Sequence, residues 1–219
     1  MSSYDTVVLD VDGTLVDSVY QHTMLWVKAF AEVGVYVPAW KLHRAIGMGG
    51  DRLVAHVAGD DVEKQHGDRL RELHDKAFDD TIDDIPPLPG AADLLAELRT
   101  RGLKVVLASS GIEEQTERLL AIVGEKDKVE DSPTSDDVDA SKPAPDLIDA
   151  AIARVEGSRA VVIGDAVWDV KAAKEAGVFS IALLSGGFGE GELREAGADL
   201  VFETPQDVLD HLDKTPFGD

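Results

Sequence analysis

The sequence predicts an α/β protein, a doubly wound parallel sheet with a helical segment inserted after its first strand. Three observations carry that expectation. Short, unbroken apolar runs recur along the chain, as in strands buried on both faces. Amphipathic helical stretches alternate with them from residue 91 onward, which is the order of βαβ units. The interval from about residue 18 to 84 breaks the alternation and reads as helices only.

The first apolar run is Val7-Val8-Leu9, and it leads into Asp10-Val11-Asp12-Gly13-Thr14. A strand sends residues i and i+2 to one face, so Asp10 and Asp12 leave its end together. Gly13 permits the sharp turn needed there. Two carboxylates ~4 Å apart repel by roughly 4 kcal/mol at an effective dielectric of about 20. Such a pair needs a cation, a shared proton or open water. An acidic solvated turn is the plainer reading of the same residues.

In the insert, Val19, Thr23, Trp26, Phe30 and Val33 recur at helical spacing before Gly34. Leu53, Val54 and Val57 predict a shorter second helix, and Val62, Leu70, Leu73, Ala77 and Phe78 a longer third. Pro86-Pro87-Leu88-Pro89-Gly90 then resets the chain. The expected division is a core of residues 1–17 and 86–219 and a helical insert of residues 18–85.

Beyond it, Ala91 to Thr100 reads as a helix with Leu94, Leu95 and Leu98 on one face, followed by a strand at Lys104 to Ala108. Ile112 to Val123 reads as a helix. Glu130 to Asp139 reads as a solvated acidic loop. A helix is expected from Pro143 to Val155, with proline in its first turn. A strand at Ala160 to Gly164 precedes a helix from Asp169 to Ala176 that Gly177 closes. Val178 to Leu183 and Asp199 to Phe202 complete the strands.

The chain has 219 residues, 44% hydrophobic and 29% charged, an ordinary globular balance. With no cysteine, disulfides, thiolate metal sites and cysteine catalysis are excluded. A net charge of −22 repels nucleic acid and anionic membranes, so neither is expected as a partner. Any anion-binding site must create positive potential locally. No apolar run approaches the ~20 residues of a membrane span. Met1-Ser2-Ser3-Tyr4-Asp5 lacks the basic start and apolar core of a secretory leader. A cytoplasmic monomer or homodimer is the expectation.

Doubly wound sheets bind ligands beyond the carboxyl ends of their strands. The residues immediately after each strand are therefore informative. After the second strand come Ser109-Ser110-Gly111, after the third Gly164-Asp165 through Asp169, and Ser141-Lys142 precedes a helix. Each has a plain structural role open to it. Ser109 can cap a helix, Lys142 can be solvated, and Asp165 and Asp169 can form an acidic helix start. Together, at one sheet edge, they supply the cation and hydroxyl that Asp10 and Asp12 require.

This set resembles the haloacid dehalogenase superfamily of phosphohydrolases. Asp10-Val11-Asp12-Gly13-Thr14 matches its first motif, Ser109 its second, Lys142 its third, and Gly164-Asp165 through Asp169 its fourth, Gly-Asp-x-x-x-Asp. The inserted α-helical cap is similar to that of the subgroup containing phosphoglycolate phosphatase and β-phosphoglucomutase. The resemblance implies a Rossmann-like core and hydrolysis of a small phosphate monoester, phosphoglycolate-like or a sugar phosphate. It implies Asp10 as nucleophile, Asp12 as general acid and base, and Ser109 and Lys142 as catalytic partners of the phosphoryl group. Ser110 and Gly111 are implied substrate-binding residues. It also implies Mg²⁺, held by Asp10, the backbone carbonyl of Asp12 and Asp165, with Asp169 acting through water, by orienting Lys142 or as a ligand.

Asp12 argues against dehalogenase activity, because those members lack an acid at this position. The resemblance places His22, with Trp26 four residues on, near the hinge and the leaving group; helix packing is the other reading. Arg44-Ala45-Ile46-Gly47-Met48-Gly49-Gly50-Asp51-Arg52 looks like the cap's specificity loop. Gly49 would allow close backbone approach there, and Arg44 or Arg52 would meet a substrate carboxylate or second phosphate; surface arginines beside a turn are the other reading. β-Phosphoglucomutase has basic residues where this chain has Ile46 and Gly50, which favours a phosphatase. A phosphomutase and a non-catalytic binding relative are the alternatives.

Overall fold

The computed structural model describes residues 4–124, 129–130, 133 and 141–218. The predicted acidic loop at 130–139 lies almost wholly outside the described residues. Five parallel strands form one sheet: β1 (Thr6–Leu9), β2 (Lys104–Leu107), β3 (Ala160–Gly164), β4 (Phe179–Leu183) and β5 (Leu200–Phe202). Their order is β2-β1-β3-β4-β5, and every one lies on an apolar run read from the sequence.

After β1 the chain enters helices α1 (Val19–Glu32), α2 (Ala39–His43), α3 (Gly50–Ala58) and α4 (Asp60–Asp79). They enclose a hydrophobic cluster of their own, with Trp26, Phe30, Leu42, Leu53, Val54 and Leu70 at its centre. The five-residue α2, which opens after Pro38, is not expected from the sequence; it is too short to show a period. The two passages joining this insert to the sheet run side by side, Asp17 N donating to Pro86 O (3.0 Å) and Leu88 N to Leu15 O (2.9 Å).

The sheet is covered on both faces, which explains its unbroken apolar strands. Val7, Leu9, Val105, Leu107, Val161 and Ile163 face one side. There they meet the leucines of α5 (Ala91–Thr100) and α6 (Glu113–Val123). Val8, Val106 and Val162 face the other side, against Leu147 and Ile148 of α7 (Asp146–Arg154) and Ala172 and Ala173 of α8 (Val167–Glu175). Two further short helices, α9 (Glu190–Ala196) and α10 (Pro205–Asp210), show no sequence period for the same reason as α2.

Two helix boundaries are corrected. The helix expected from Pro143 begins at Asp146, with Pro145 as its N-cap. A residue before proline is disfavoured in the helical region, so Lys142 and Ala144 delay the start. The Lys142–Pro143 peptide is cis. The helix expected from Asp169 begins two residues earlier, at Val167, which makes Asp169 a first-turn residue whose Oδ2 accepts from Ala166 N (3.0 Å).

Candidate active site

The chain leaves β1 for β2 on one side and returns to β3 on the other, so the strand order reverses at β1, where such sheets bind ligands. Leu9 is in register with both Leu107 and Ile163. Asp10 N donates to Ile163 O (2.9 Å) and Ala108 N to Leu9 O (2.8 Å). The residues just past these rungs, Asp10, Ser109 and Asp165, therefore gather at one edge. Gly13 turns the chain above them at φ +75°, and a Cβ there would collide with the Asp165 carboxylate.

Lys142 is 2% exposed and reaches two carboxylates, Asp10 Oδ1 at 2.5 Å and Asp169 Oδ1 at 2.7 Å. Asp165 accepts from Thr14 Oγ1 (3.3 Å). Asp10, Asp165 and Asp169 each bring an oxygen within 4.8 Å of the others, all three buried. The solvated roles open to Lys142, Asp165 and Asp169 are thereby excluded. Asp10 Oδ2 is buried and has no hydrogen-bond partner. An all-oxygen donor set with an unsatisfied buried carboxylate oxygen fits a hard divalent cation such as Mg²⁺.

The electrostatics follow from this crowding. Burial pushes Asp10 up to about 7, with Asp169 and Asp12 adding to the rise and Lys142 opposing it. Burial, Asp169 and Asp10 hold Asp165 well above the usual carboxylate range. Burial works against the Lys142 ammonium, but Asp10 and Asp169 outweigh it and raise its pKa.

Asp12 sits apart from the three-carboxylate cluster. Its Oδ1 accepts from Ser18 Oγ (2.5 Å) and lies 3.0 Å from His22 Nε2. Burial acts to raise its pKa, yet His22 and Ser18 prevail and hold it below the ordinary value. Ser109 Oγ accepts from Gly111 N (3.1 Å) and lies 3.3 Å from Thr116 Oγ1. Ser110 Oγ is buried without a partner.

Beside these groups lies a cavity of about 430 Å³ between the sheet edge and the helical insert. Asp10, Asp12, His22, Ser110 and Gly111 line it. Gly49 lies between two lining residues, and a Cβ on it would strike Ser141.

The two loop arginines are a correction. Arg44 turns away, pairing with Glu192 and stacking 4.0 Å over the Phe188 ring. Arg52 lies 3.9 Å from Asp51 with its side chain 41% exposed, and neither arginine lines the cavity. In this acidic chain each finds a nearby surface carboxylate.

Arg71 of α4 lines the cavity instead, its guanidinium held by Glu63 (2.9 Å), Asp68 (2.9 Å) and Gly50 O (3.0 Å). Nothing in the run Arg69-Leu70-Arg71-Glu72 marks it. His74 is also absent from the residues the sequence singles out, although it carries a signal: it lies four residues from both Leu70 and Phe78, on the apolar face of the helix.

A buried carboxylate with one unpartnered oxygen, a lysine bridging two acids and a second aspartate thus gather at the switch point of a doubly wound sheet, beneath the helical insert. The chain belongs to the haloacid dehalogenase-like hydrolase family, whose model matches residues 4–177. It is an enzyme, a phosphatase of that family.

Among its relatives, phosphoglycolate phosphatase of Caulobacter vibrioides is 30% identical over 210 residues, covering 93% of this chain and 88% of that one. Validoxylamine A 7'-phosphate phosphatase of Streptomyces hygroscopicus is 29% identical over 186 residues, covering 82% and 85%. A hydrolase from Pseudomonas syringae of known crystal structure superposes with a TM-score of 0.90 at 37% identity, covering 96% of this chain and 98% of that one.

Proposed function

We propose that this phosphatase hydrolyses a small phosphate monoester, phosphoglycolate-like or a sugar phosphate, through an aspartyl-phosphate on Asp10. The observation that carries this reading is the state of Asp10, one oxygen held by Lys142 and the other buried and unpartnered. In the first step the Asp10 carboxylate attacks phosphorus and the ester P–O bond breaks. Asp12 gives its proton to the departing alkoxide. In the second, water attacks the same phosphorus, Asp12 takes its proton, and the Asp10–phosphorus bond breaks to release phosphate.

Lys142 and the Ser109 hydroxyl stabilise the phosphoryl oxygens. Asp10, Asp165 and Asp169, with the backbone carbonyl of Asp12, would hold Mg²⁺, which supplies positive charge against those same oxygens. Residues 18–85 act as the cap, and residues 1–17 and 86–219 as the catalytic core. The cavity volume suits a small leaving group.

A phosphate-release screen over phosphoglycolate, sugar phosphates, nucleotides and pyrophosphate, with Mg²⁺ and with chelator, tests this. Mg²⁺-dependent release from a small monoester is the expected result. A sugar 1-phosphate converted to the 6-phosphate without free phosphate would replace it with a phosphomutase, and no turnover of any ester would remove it.

The carboxylate cluster also gives a pH-dependent metal response. Metal ligands must be deprotonated to bind. Asp10 is held up at about 7 by burial and its neighbours, so protons compete below that value. A raised carboxylate pKa gives a stability contribution that is full below the ordinary carboxylate range and lost as pH climbs through the folded value. Millimolar Mg²⁺ is therefore expected to raise the melting temperature more at about pH 8 than at about pH 5. Equal shifts at both would contradict the cluster as the metal site.

A further inference from the structure

A chain of four side chains runs from the acid residue into the cap. Asp12 Oδ1 lies 3.0 Å from His22 Nε2, His22 Nδ1 lies 3.0 Å from His74 Nε2, and His74 Nδ1 lies 2.9 Å from Asp75 Oδ1. His22 belongs to α1, His74 and Asp75 to α4. The rings are walled by aromatics, His22 stacked on Phe78 at 4.1 Å and His74 on Trp26 at 4.3 Å between centroids. The His74 side chain is 8% exposed, which leaves little room for water to replace either of its partners.

Donor and acceptor roles along this chain are forced from its outer end. A carboxylate only accepts, so His74 Nδ1 carries the hydrogen that meets Asp75. Burial, the largest influence on His74, favours its neutral form, which leaves Nε2 as a lone pair. His22 Nδ1 must then donate to it. With that tautomer set, the other ring nitrogen, Nε2, is aimed at Asp12.

We propose that His74 and Asp75 are positioning residues that fix the orientation and tautomer of His22 and, through it, the placement of the Asp12 carboxyl toward the leaving group. The proposal rests on the phosphatase reading above. During ester cleavage a proton passes from Asp12 to the alkoxide oxygen as the P–O bond breaks. During hydrolysis of the aspartyl-phosphate, Asp12 recovers one from the attacking water, and the contact is restored.

The test compares an alkyl phosphate, whose leaving group needs a proton, with p-nitrophenyl phosphate, whose phenolate leaves without one. His74→Phe keeps the stacking on Trp26 and removes the acceptor for His22. It is expected to lower kcat/KM about 10- to 100-fold on the alkyl ester and only severalfold on the aryl ester. His74→Gln, whose amide oxygen can accept from His22 Nδ1, is expected to recover most of the alkyl-ester rate. Asp75→Ala is expected to shift the ratio of the two rates in the same direction as His74→Phe, by less.

Equal losses on both esters, or no loss on either, would overturn the positioning role while leaving the phosphatase reading intact. Wild-type protein that turns over neither ester would overturn both. Circular dichroism on each variant separates these outcomes from misfolding. If His74→Phe does not fold, the Asp75→Ala ratio decides.

Discussion

Asp10→Asn is expected to abolish phosphate release, by at least about 10⁴-fold, in a protein that still folds. The amide is nearly isosteric but has no carboxylate to attack phosphorus. Stability should change little because two effects oppose. The substitution removes one carboxylate from a buried cluster of three, which relieves repulsion. It also takes a charge partner from Lys142, which keeps its ion pair to Asp169 at 2.7 Å. A net shift within about 2 kcal/mol is expected from these terms. Phosphate-release assays and a urea titration on one preparation check both parts. Undiminished turnover would remove Asp10 as nucleophile, and loss of fold would mean that its charge is structural.

Lys142→Met carries the second large effect and separates charge from packing. Methionine replaces the apolar stem, so the cavity left is small. What is lost is the cation facing Asp10 and Asp169, both buried. Breaking a buried pair by removing one partner costs about 3–5 kcal/mol because a charge is left uncompensated.

The loss should depend on pH with a definite sign. Without the ammonium, Asp10 is held further above its ordinary pKa by burial and Asp169, so the folded state binds protons that the unfolded state does not. Stability then falls as pH rises. The gap between wild type and variant, read as urea midpoints without metal, should widen from about pH 5 to about pH 8. Turnover should fall by at least about 10³-fold, since in the proposed mechanism the same ammonium stabilises the phosphoryl oxygens. A variant as stable as wild type at the higher pH would show that Lys142 is not the counter-charge of the cluster.

Much of the fold is legible in the sequence because period and punctuation suffice for it. The strands β1 to β5 are apolar or nearly apolar runs of three to five residues, and Ala91–Thr100 is delimited by Pro86–Gly90 and Gly102. The elements that escape it share a cause. Helices α2, α9 and α10 have seven residues or fewer, too few turns for a hydrophobic stripe to stand out. The start of α7 differs from expectation because Pro143 suits a helical first turn by itself, whereas two X-Pro steps hold the chain out of the helix until Asp146.

The core of the candidate site is legible for a different reason. Asp10, Ser109, Lys142 and Asp165 each follow a strand or precede a helix, so topology alone brings them to one edge. The residues of the helical insert carry no such constraint. Arg44, Arg52 and Arg71 are equally plausible as letters, and the choice among them depends on where each helix points its side chains. Arg44 and Arg52 found Glu192 and Asp51; Arg71 found the cavity.

By itself the sequence determined the class of fold and which strand ends carry Asp10, Ser109 and Asp165, because these depend on local period and chain order. Only the tertiary structure decided that Lys142 bridges Asp10 and Asp169, that Asp12 stands apart from the metal-competent cluster, and that His22 is backed by His74 and Asp75. Those facts rest on distances of a few ångströms between elements far apart in the chain. Such distances are set by how the helical insert packs over the sheet, which no local pattern encodes.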